Sequence, residues 1–344
     1  MSQTADPHAG GPPAHVALLQ MLTAKWLSTA ISTAAILGIA DQVAVDQPVT
    51  VADLAAATKT NESALYRLLR ALSSVGIFSE LEDGRFAHTP LSVPLRSDAK
   101  PCVRNMAMML MEDWHVKVWA EMPWSVQTGQ PAPLKVYGMR GFDYFSQHPE
   151  AGVVFNDAMT DMSTAEAPLI AAAYDFSGFT HIIDVAGGLG MLLASILEKT
   201  PGLRGTVFEM PYFIEQVRSS PILAPYTDRC DVVGGDFFVS VPPADCYIMK
   251  HIIHDWEDEK AIAILKNCRA SIAPGGKLLV VERVVGARNV PQFAKLMDLE
   301  MLVAPGGLER TEDEFRTLFT AAGFRLDRVI SGVGPQEIIE GSPV

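Results

Sequence analysis

Cysteine is scarce and scattered in this chain of 344 residues, and Cys102, Cys230, Cys246 and Cys268 form no C-x-x-C pair. That spacing excludes a disulfide framework or a thiolate zinc site as the organising feature. Positive charge is also short: 27 Lys and Arg stand against 40 Asp and Glu, a net charge of −13. Binding DNA or RNA requires a basic footprint, so nucleic acid is not an expected partner. Long apolar runs are missing too. The longest stretch, Trp26 to Ala40, is interrupted by Ser28, Thr29, Ser32 and Thr33 and is too short and polar to span a bilayer. Its small residues (Ala30, Ala34, Ala35, Gly38) suit close helix packing, in a buried core or across a dimer interface. Residues 1–13, polar and rich in Gly and Pro, carry no charged-then-apolar leader pattern and read as a disordered tail. With 49% hydrophobic and 19% charged residues, the expectation is a cytoplasmic globular protein large enough for two domains.

Two halves follow different patterns. Residues 14–105 are expected to form a winged-helix-like domain. Thr50-Val51-Ala52-Asp53 offers a helix N-cap, and Asn61-Glu62 opens a second helix with Leu65, Leu68, Leu69 and Leu72 on one face. Gly76 ends it, and Asp83-Gly84 then joins Ile77–Glu80 to Arg85–His88 as a hairpin. The candidate recognition helix offers only Arg67 and Arg70, so a structural or dimerising role is expected over DNA reading. Residues 106–344 read as an α/β domain, opened by a helical region over 106–175. Met106, Met108, Met109, Met111, Trp114, Trp119 and Trp124 there suit either a core or a pocket for a flat apolar molecule. From Thr180 strands and helices alternate, with strands expected at 181–185, 205–209, 230–234, 246–250 and 277–282. The fold class is thus a Rossmann-like doubly wound sheet.

The segment Ile182–Gly190 reads strand, acid, glycine-rich turn, with a helix following from Met191. A dinucleotide fingerprint fails here, because Gly188-Leu189-Gly190-Met191-Leu192-Leu193 lacks the third glycine. Asp184, set before the glycines, would repel a pyrophosphate but suits a ligand with a cationic amine, such as S-adenosylmethionine (SAM). Acids recur at later strand ends. Glu209 stands where a carboxylate can accept both ribose hydroxyls. Asp236 could accept from an adenine amine while Phe237 packs on the ring. After the fourth strand comes Lys250-His251-Ile252-Ile253-His254-Asp255-Trp256, at the end where such a sheet places its active site. His254 is the natural general base: a phenol of pKa ~10 must lose its proton as it attacks a methyl group, and an imidazole near ~6.5 can take it. Glu282 and Glu309 are the candidate orienting partners. A His251/His254 metal pair fits by spacing but lacks obvious further ligands, so no metal is expected.

Taken in order, these motifs resemble the SAM-dependent small-molecule O-methyltransferases of the caffeic acid and hydroxyindole type, with bacterial natural-product members. The match rests on Leu37–Asp41, Leu65–Leu72, Asp184–Gly190, Gly235–Phe238, His254–Trp256 and Gly306–Thr311. The resemblance implies a homodimer with interlocking N-terminal domains and a small aromatic substrate. It implies SAM held by Gly187, Gly188 and Gly190, by Glu209 on the ribose, and by Asp236, Phe237 and Lys250 around the adenine. It also implies His254 as base, positioned by Glu282 and Glu309, no metal, and substrate contacts at Met109, Met159, Ser163, Asp298 and Met301. Three positions depart from the family pattern: Ala186 replaces a glycine, Glu209 an aspartate, and His251 the tryptophan of plant relatives. The expected reaction is methyl transfer to an aromatic hydroxyl. The alternative is hydroxylation, decarboxylation or cyclisation on the same fold, since fold does not fix chemistry.

Overall fold

A computed structural model describes residues 11–344, so most of the expected tail, residues 1–10, lies outside the described residues. The chain divides into two compact units, Met1–Glu112 and Asp113–Val344. The division suggested by the sequence, at 105/106, falls inside the helix Arg104–Met109, which lies wholly in the first unit.

In the first unit the local signals act as the sequence suggests. Thr50 accepts from Asp53 N at 3.1 Å and starts the helix Val51–Thr58. Asn61 accepts from Ala64 N at 3.0 Å and starts Glu62–Ser74, which buries Leu65, Leu69 and Leu72. Strands β1 (Phe78–Glu80) and β2 (Phe86–His88) pair antiparallel as the wing. Phe78 and Phe86 close the core beside Leu54, Ile39 and Val43.

The opening helix Ala14–Ile36 differs from a simple core helix. Its last turns bury Ser32, Ala34 and Ala35. Farther forward, Leu18, Leu22 and Trp26, four residues apart, share one face and stand exposed, Trp26 by 74%. An apolar face of this kind marks a surface for association. No helix among the described residues is long and apolar enough to cross a membrane.

The second unit is built on a sheet of seven strands. These are β3 (His181–Val185), β4 (Arg204–Glu209), β5 (Cys230–Gly234), β6 (Ala244–Lys250), β7 (Ile272–Glu282), β8 (Phe324–Ile330) and β9 (Glu337–Pro343). Their order is β5-β4-β3-β6-β7-β9-β8. The first five in that order run parallel, and β9 pairs antiparallel with both neighbours. Side chains alternate across the sheet. Ile183, Val185, Tyr247, Met249, Leu278 and Val280 pack one way, toward residues of the helices Asp258–Ser271 and Glu312–Ala321. Ile182, Cys246, Ile248, Leu279 and Val281 pack the other, toward Pro149–Ala173 and Met191–Lys199. Burial on both faces, at about 1.5–3 kcal/mol per large aliphatic side chain, makes the centre of this sheet a rigid platform.

The sequence reading missed β8 and β9. Arg325, Asp327 and Arg328 break the apolar run of β8, and Gly341 and Pro343 lie within β9. These strands exist by pairing: Glu340 of β9 is salt-bridged to Lys277 of β7 and Arg328 of β8. The sheet is built outward from β3, first to one side (β4, β5) and then to the other (β6, β7), so the order of strands reverses between β3 and β6. The crevice at those two strand tips is where such a fold holds a ligand.

Placing a charge on the exposed face of the first helix should weaken self-association. Trp26→Glu is expected to cost at least ~2 kcal/mol of association energy and shift the population toward monomer in light scattering. An unchanged mass across a dilution series would remove this face from the interface.

Candidate active site

At the tip of β3 the backbone turns sharply. Ala186, Gly188 and Gly190 all have positive φ, at 54°, 56° and 84°. A Cβ at Gly187 would lie 2.7 Å from the carboxyl of Asp184, so the loop closes directly over that acid. Asp184 is buried, and its Oδ2 has no hydrogen-bond partner. Burial pushes its pKa up to about 7, against the pull of Lys250 and with a further push from Glu209. Glu209, at the tip of β4, accepts from Gly188 N at 3.1 Å and Met210 N at 2.8 Å. Burial raises its pKa as well. Two poorly compensated carboxylates beside an open glycine loop fit a ligand with a cationic group and hydroxyl donors.

Beyond β5, Asp236 accepts from Phe238 N at 2.8 Å, so one of its oxygens holds its own turn. Phe237 is half-buried, edge-on to Phe238 at 4.8 Å and to Trp256 at 6.0 Å. Lys250, last residue of β6, donates to Glu166 Oε2 at 3.0 Å.

His254 follows on the single turn Ile253–Asp255. Its Nδ1 lies 2.9 Å from Glu309 Oε1 and 3.5 Å from Glu282 Oε2. Glu282, the last residue of β7, is fully buried; its Oε1 accepts from Ile252 N at 3.1 Å and from His254 N at 3.2 Å. Glu282 therefore holds the backbone of the histidine turn through one oxygen and turns the other, which has no hydrogen-bond partner, toward the ring, while Glu309 bonds the ring. The Nε2 side of the ring faces Asp255 Oδ1 at 3.7 Å. Burial alone would lower the pKa of His254, but Glu282, Glu309 and Asp255 outweigh it and raise it to about 9. Asp255 is itself pushed up to about 7 by burial, against the pull of His254.

The loop carrying Glu309 approaches this turn closely. Leu308 N donates to His254 O at 2.9 Å, and a Cβ on Gly307 would lie 1.9 Å from that same oxygen. Only glycine leaves room for the contact. Glu309 N donates to Asp298 Oδ1 at 2.8 Å. Asp298, expected against the substrate, thus has at least one oxygen committed to holding Glu309.

Of the remaining expected substrate contacts, Met159 and Ser163 share one face of the long helix Pro149–Ala173 with Glu166, at a spacing of four and then three residues. Met301 is buried, and its carbonyl accepts from Gly306 N and Gly307 N. Met109 lies buried in the first unit, apart in the chain division from the others.

Two residues escaped the sequence reading. Arg310 is almost wholly buried and donates to Ile253 O at 3.1 Å, Trp256 O at 2.8 Å and Asp258 Oδ1 at 2.8 Å, clamping both ends of the His254 turn. Glu166 is buried against Lys250, His251 and Arg283. Buried charge is legible in a sequence only when its partners are known, and these lie far apart along the chain. Glu282 also supplies the further acid missing from the His251/His254 pair: the three groups bring ligand atoms within 4.8 Å. The 2.9 Å contact of His254 Nδ1 with Glu309 favours hydrogen bonding there over a cation.

Comparison with known proteins adds a second line of argument. Residues 119–325 match the family model described as an O-methyltransferase domain, and residues 19–97 match an O-methyltransferase dimerisation domain. The chain is 42% identical to the phenazine O-methyltransferase PhzM of Lysobacter antibioticus, over 99% of this chain and 100% of the relative. It is 37% identical to the mitomycin biosynthesis 6-O-methyltransferase of Streptomyces lavendulae, over 93% and 92%. Among solved structures it resembles CalO1, a methyltransferase of calicheamicin biosynthesis in its SAH-bound form. The TM-score is 0.84, with 35% identity, covering 96% of this chain and 98% of that one.

Gly307→Ala should push the Glu309 loop off the His254 turn. The expected result is a loss of roughly 1–3 kcal/mol of stability, read as a lower Tm. A downward shift of the His254 titration in NMR should accompany it. Wild-type values for both would mean the loop accommodates the methyl group.

Proposed function

The chain belongs to the SAM-dependent O-methyltransferase family, and from that premise we propose that it methylates a hydroxyl of an aromatic small molecule with His254 as general base. The observation that carries this reading is the 2.9 Å contact between His254 Nδ1 and buried Glu309, with Glu282 at 3.5 Å. A carboxylate at Nδ1 favours the tautomer with its proton there, leaving the Nε2 lone pair for the acceptor hydroxyl. The same two carboxylates stabilise the imidazolium that forms when the proton arrives. Bound SAM supplies an electrophilic methyl group on a sulfonium. The protein's share is alignment and removal of one proton.

For the cofactor we assign the loop Gly187, Gly188 and Gly190 with Asp184 beneath it, Glu209 for the ribose, and Asp236, Phe237 and Lys250 for the adenine end. The unpartnered Asp184 oxygen and the burial of Glu209 support this assignment. For the acceptor we assign Met159, Ser163, Asp298 and Met301. The chain's relatives include enzymes named for phenazine and mitomycin, so hydroxylated fused-ring aromatics, hydroxyphenazines first, are the acceptors to try. Formation of one S-adenosylhomocysteine per product separates methylation from the hydroxylation, decarboxylation or cyclisation alternative.

His254→Ala is expected to lower methyl transfer by on the order of 10²–10⁴-fold while SAM affinity, measured by calorimetry, stays within a few-fold. Near-normal turnover would sink the base assignment.

The pH profile carries a second expectation. His254 works only when neutral, and its pKa is raised to about 9, so kcat/KM should climb with pH through the neutral range and level off near that value. Glu309→Gln removes a raising influence and should move the rise to lower pH by about one unit. A substrate phenol ionising on its own would leave the rise in place.

A further inference from the structure

His251 is held in an unusual position. Its φ is 55°, in the left-handed region that a non-glycine residue occupies only when its surroundings dictate it. Its side chain is only 8% exposed and lies between two buried carboxylates, with Nε2 3.3 Å from Glu166 Oε2 and Nδ1 3.4 Å from Glu282 Oε2. Its ring also stacks on that of His254, with centroids 5.2 Å apart and planes at 27°. Both nitrogens lie at ion-pair distance from a buried carboxylate without an aligned hydrogen bond to either. A neutral ring, with one N–H and one lone pair, would turn its lone pair toward one of the two acids.

We propose that His251 is a positioning residue whose imidazolium bridges Glu166 and Glu282, and that its positive charge holds the proton affinity of His254 below what the surrounding carboxylates alone would impose. The inference rests on His254 acting as base, though its first test does not.

The charges packed around the two rings support this. Glu166, from the long helix, faces Lys250 at 3.0 Å, His251 at 3.3 Å and Arg283 at 3.5 Å. Glu282, from β7, faces both histidines, and Glu309 faces His254. Asp255 lies across Nε2 of His254. Arg310 is paired with Asp258 and does not enter the balance. With His254 neutral, the three carboxylates Glu166, Glu282 and Glu309 are matched by Lys250, Arg283 and a charged His251, and Asp255, pushed up to about 7, adds a fourth acid as it ionises. Without that third cation the buried cluster carries an excess negative charge, and the group best placed to take up a proton is His254. His254 would then hold its proton to still higher pH than it already does. The stacked cation opposes this directly, because like charges in adjacent rings disfavour protonation of both.

The charge of His251 can be read without an acceptor. In ¹⁵N-histidine-labelled protein saturated with S-adenosylhomocysteine, both His251 nitrogens should resonate as imidazolium at pH 7.5. A neutral ring would overturn the proposal. The second arm is the pH dependence of kcat/KM with a hydroxyphenazine acceptor. His251→Asn keeps a residue that tolerates positive φ but removes the charge, and should move the rise to higher pH by about one unit. Rates should recover at alkaline pH. His251→Lys restores a cation, in a backbone conformation that Lys59 of this chain already adopts, and should bring the rise back toward wild type. A uniform loss of rate in His251→Asn with an unmoved rise would mean a merely structural role and overturn the proposal. Should His251→Asn not fold, the wild-type NMR reading and the lysine variant still decide. Should no acceptor be turned over, the function reading fails while the NMR arm stands.

Discussion

A carboxylate without access to water has to be answered by donors or cations, and Glu282 sits at the point where the second unit meets that demand. It ends the fully buried run Leu278–Val281 of β7, so the strand delivers it into the interior without freedom to turn away. One oxygen takes two backbone N–H groups from the turn after β6; the other faces two histidine rings. Losing this carboxylate would leave those donors buried and unpaired, at roughly 1–3 kcal/mol each. The turn that carries His254 is therefore built around Glu282, and Arg310 and the Gly306–Gly307 loop brace it from the other side. Ring orientation, backbone position and proton affinity of His254 all trace to the same pair of acids.

The sheet explains why two separate clusters can share one region. Parallel strands buried on both faces present their tips at one edge, and the order β4-β3-β6-β7 puts the Asp184 loop, Glu209, the Lys250–His254 segment and Glu282 on neighbouring tips. Lys250 links them in space and charge: it draws down the pKa of Asp184 on one side and is paired with Glu166 on the other. A change in charge at the glycine loop is thus felt one residue away from the histidine pair.

Much of this was legible because it was local. Asp83-Gly84 writes a hairpin, Thr50 and Asn61 write helix starts, and the apolar strands ending in Asp184, Glu209 and Glu282 write a parallel sheet with acids at its tips. The parts that were not legible depend on distant partners. Glu166 looks like an ordinary helix acid until Lys250, His251 and Arg283 close on it, from 84 and 117 residues away for Lys250 and Arg283. The strands β8 and β9 carry charges that read as solvent-facing until cross-strand pairing satisfies them. Glu300 is similar: it accepts from the indole of Trp119, in the Met- and Trp-rich region, and lies 3.3 Å from His115, though about 180 residues separate them. The family resemblance implies Asp298 as a substrate contact, and the backbone of Glu309 is the partner that a motif match could not foresee.

Two of the sequence's departures from the family pattern share one structural cause. Ala186 and His251 are each the first residue after a strand, β3 and β6, and these strands flank the point where the order of strands reverses. At both places the chain must leave the sheet abruptly to bring backbone and side chains into the crevice, and both residues are left-handed, at φ 54° and 55°. Glycine would take that conformation freely, whereas a residue with a Cβ gives up about 1–2 kcal/mol. At His251 the strain positions an imidazole between Glu166 and Glu282, contacts that a glycine could not make. Ala186 has no such compensation in its side chain, and its strain is held by the hydrogen bond from its N–H to Phe208 O and by the closure of Gly187 over Asp184. The same backbone demand is thus met twice, once with a side chain that joins the charge network and once with a methyl group that only tolerates it.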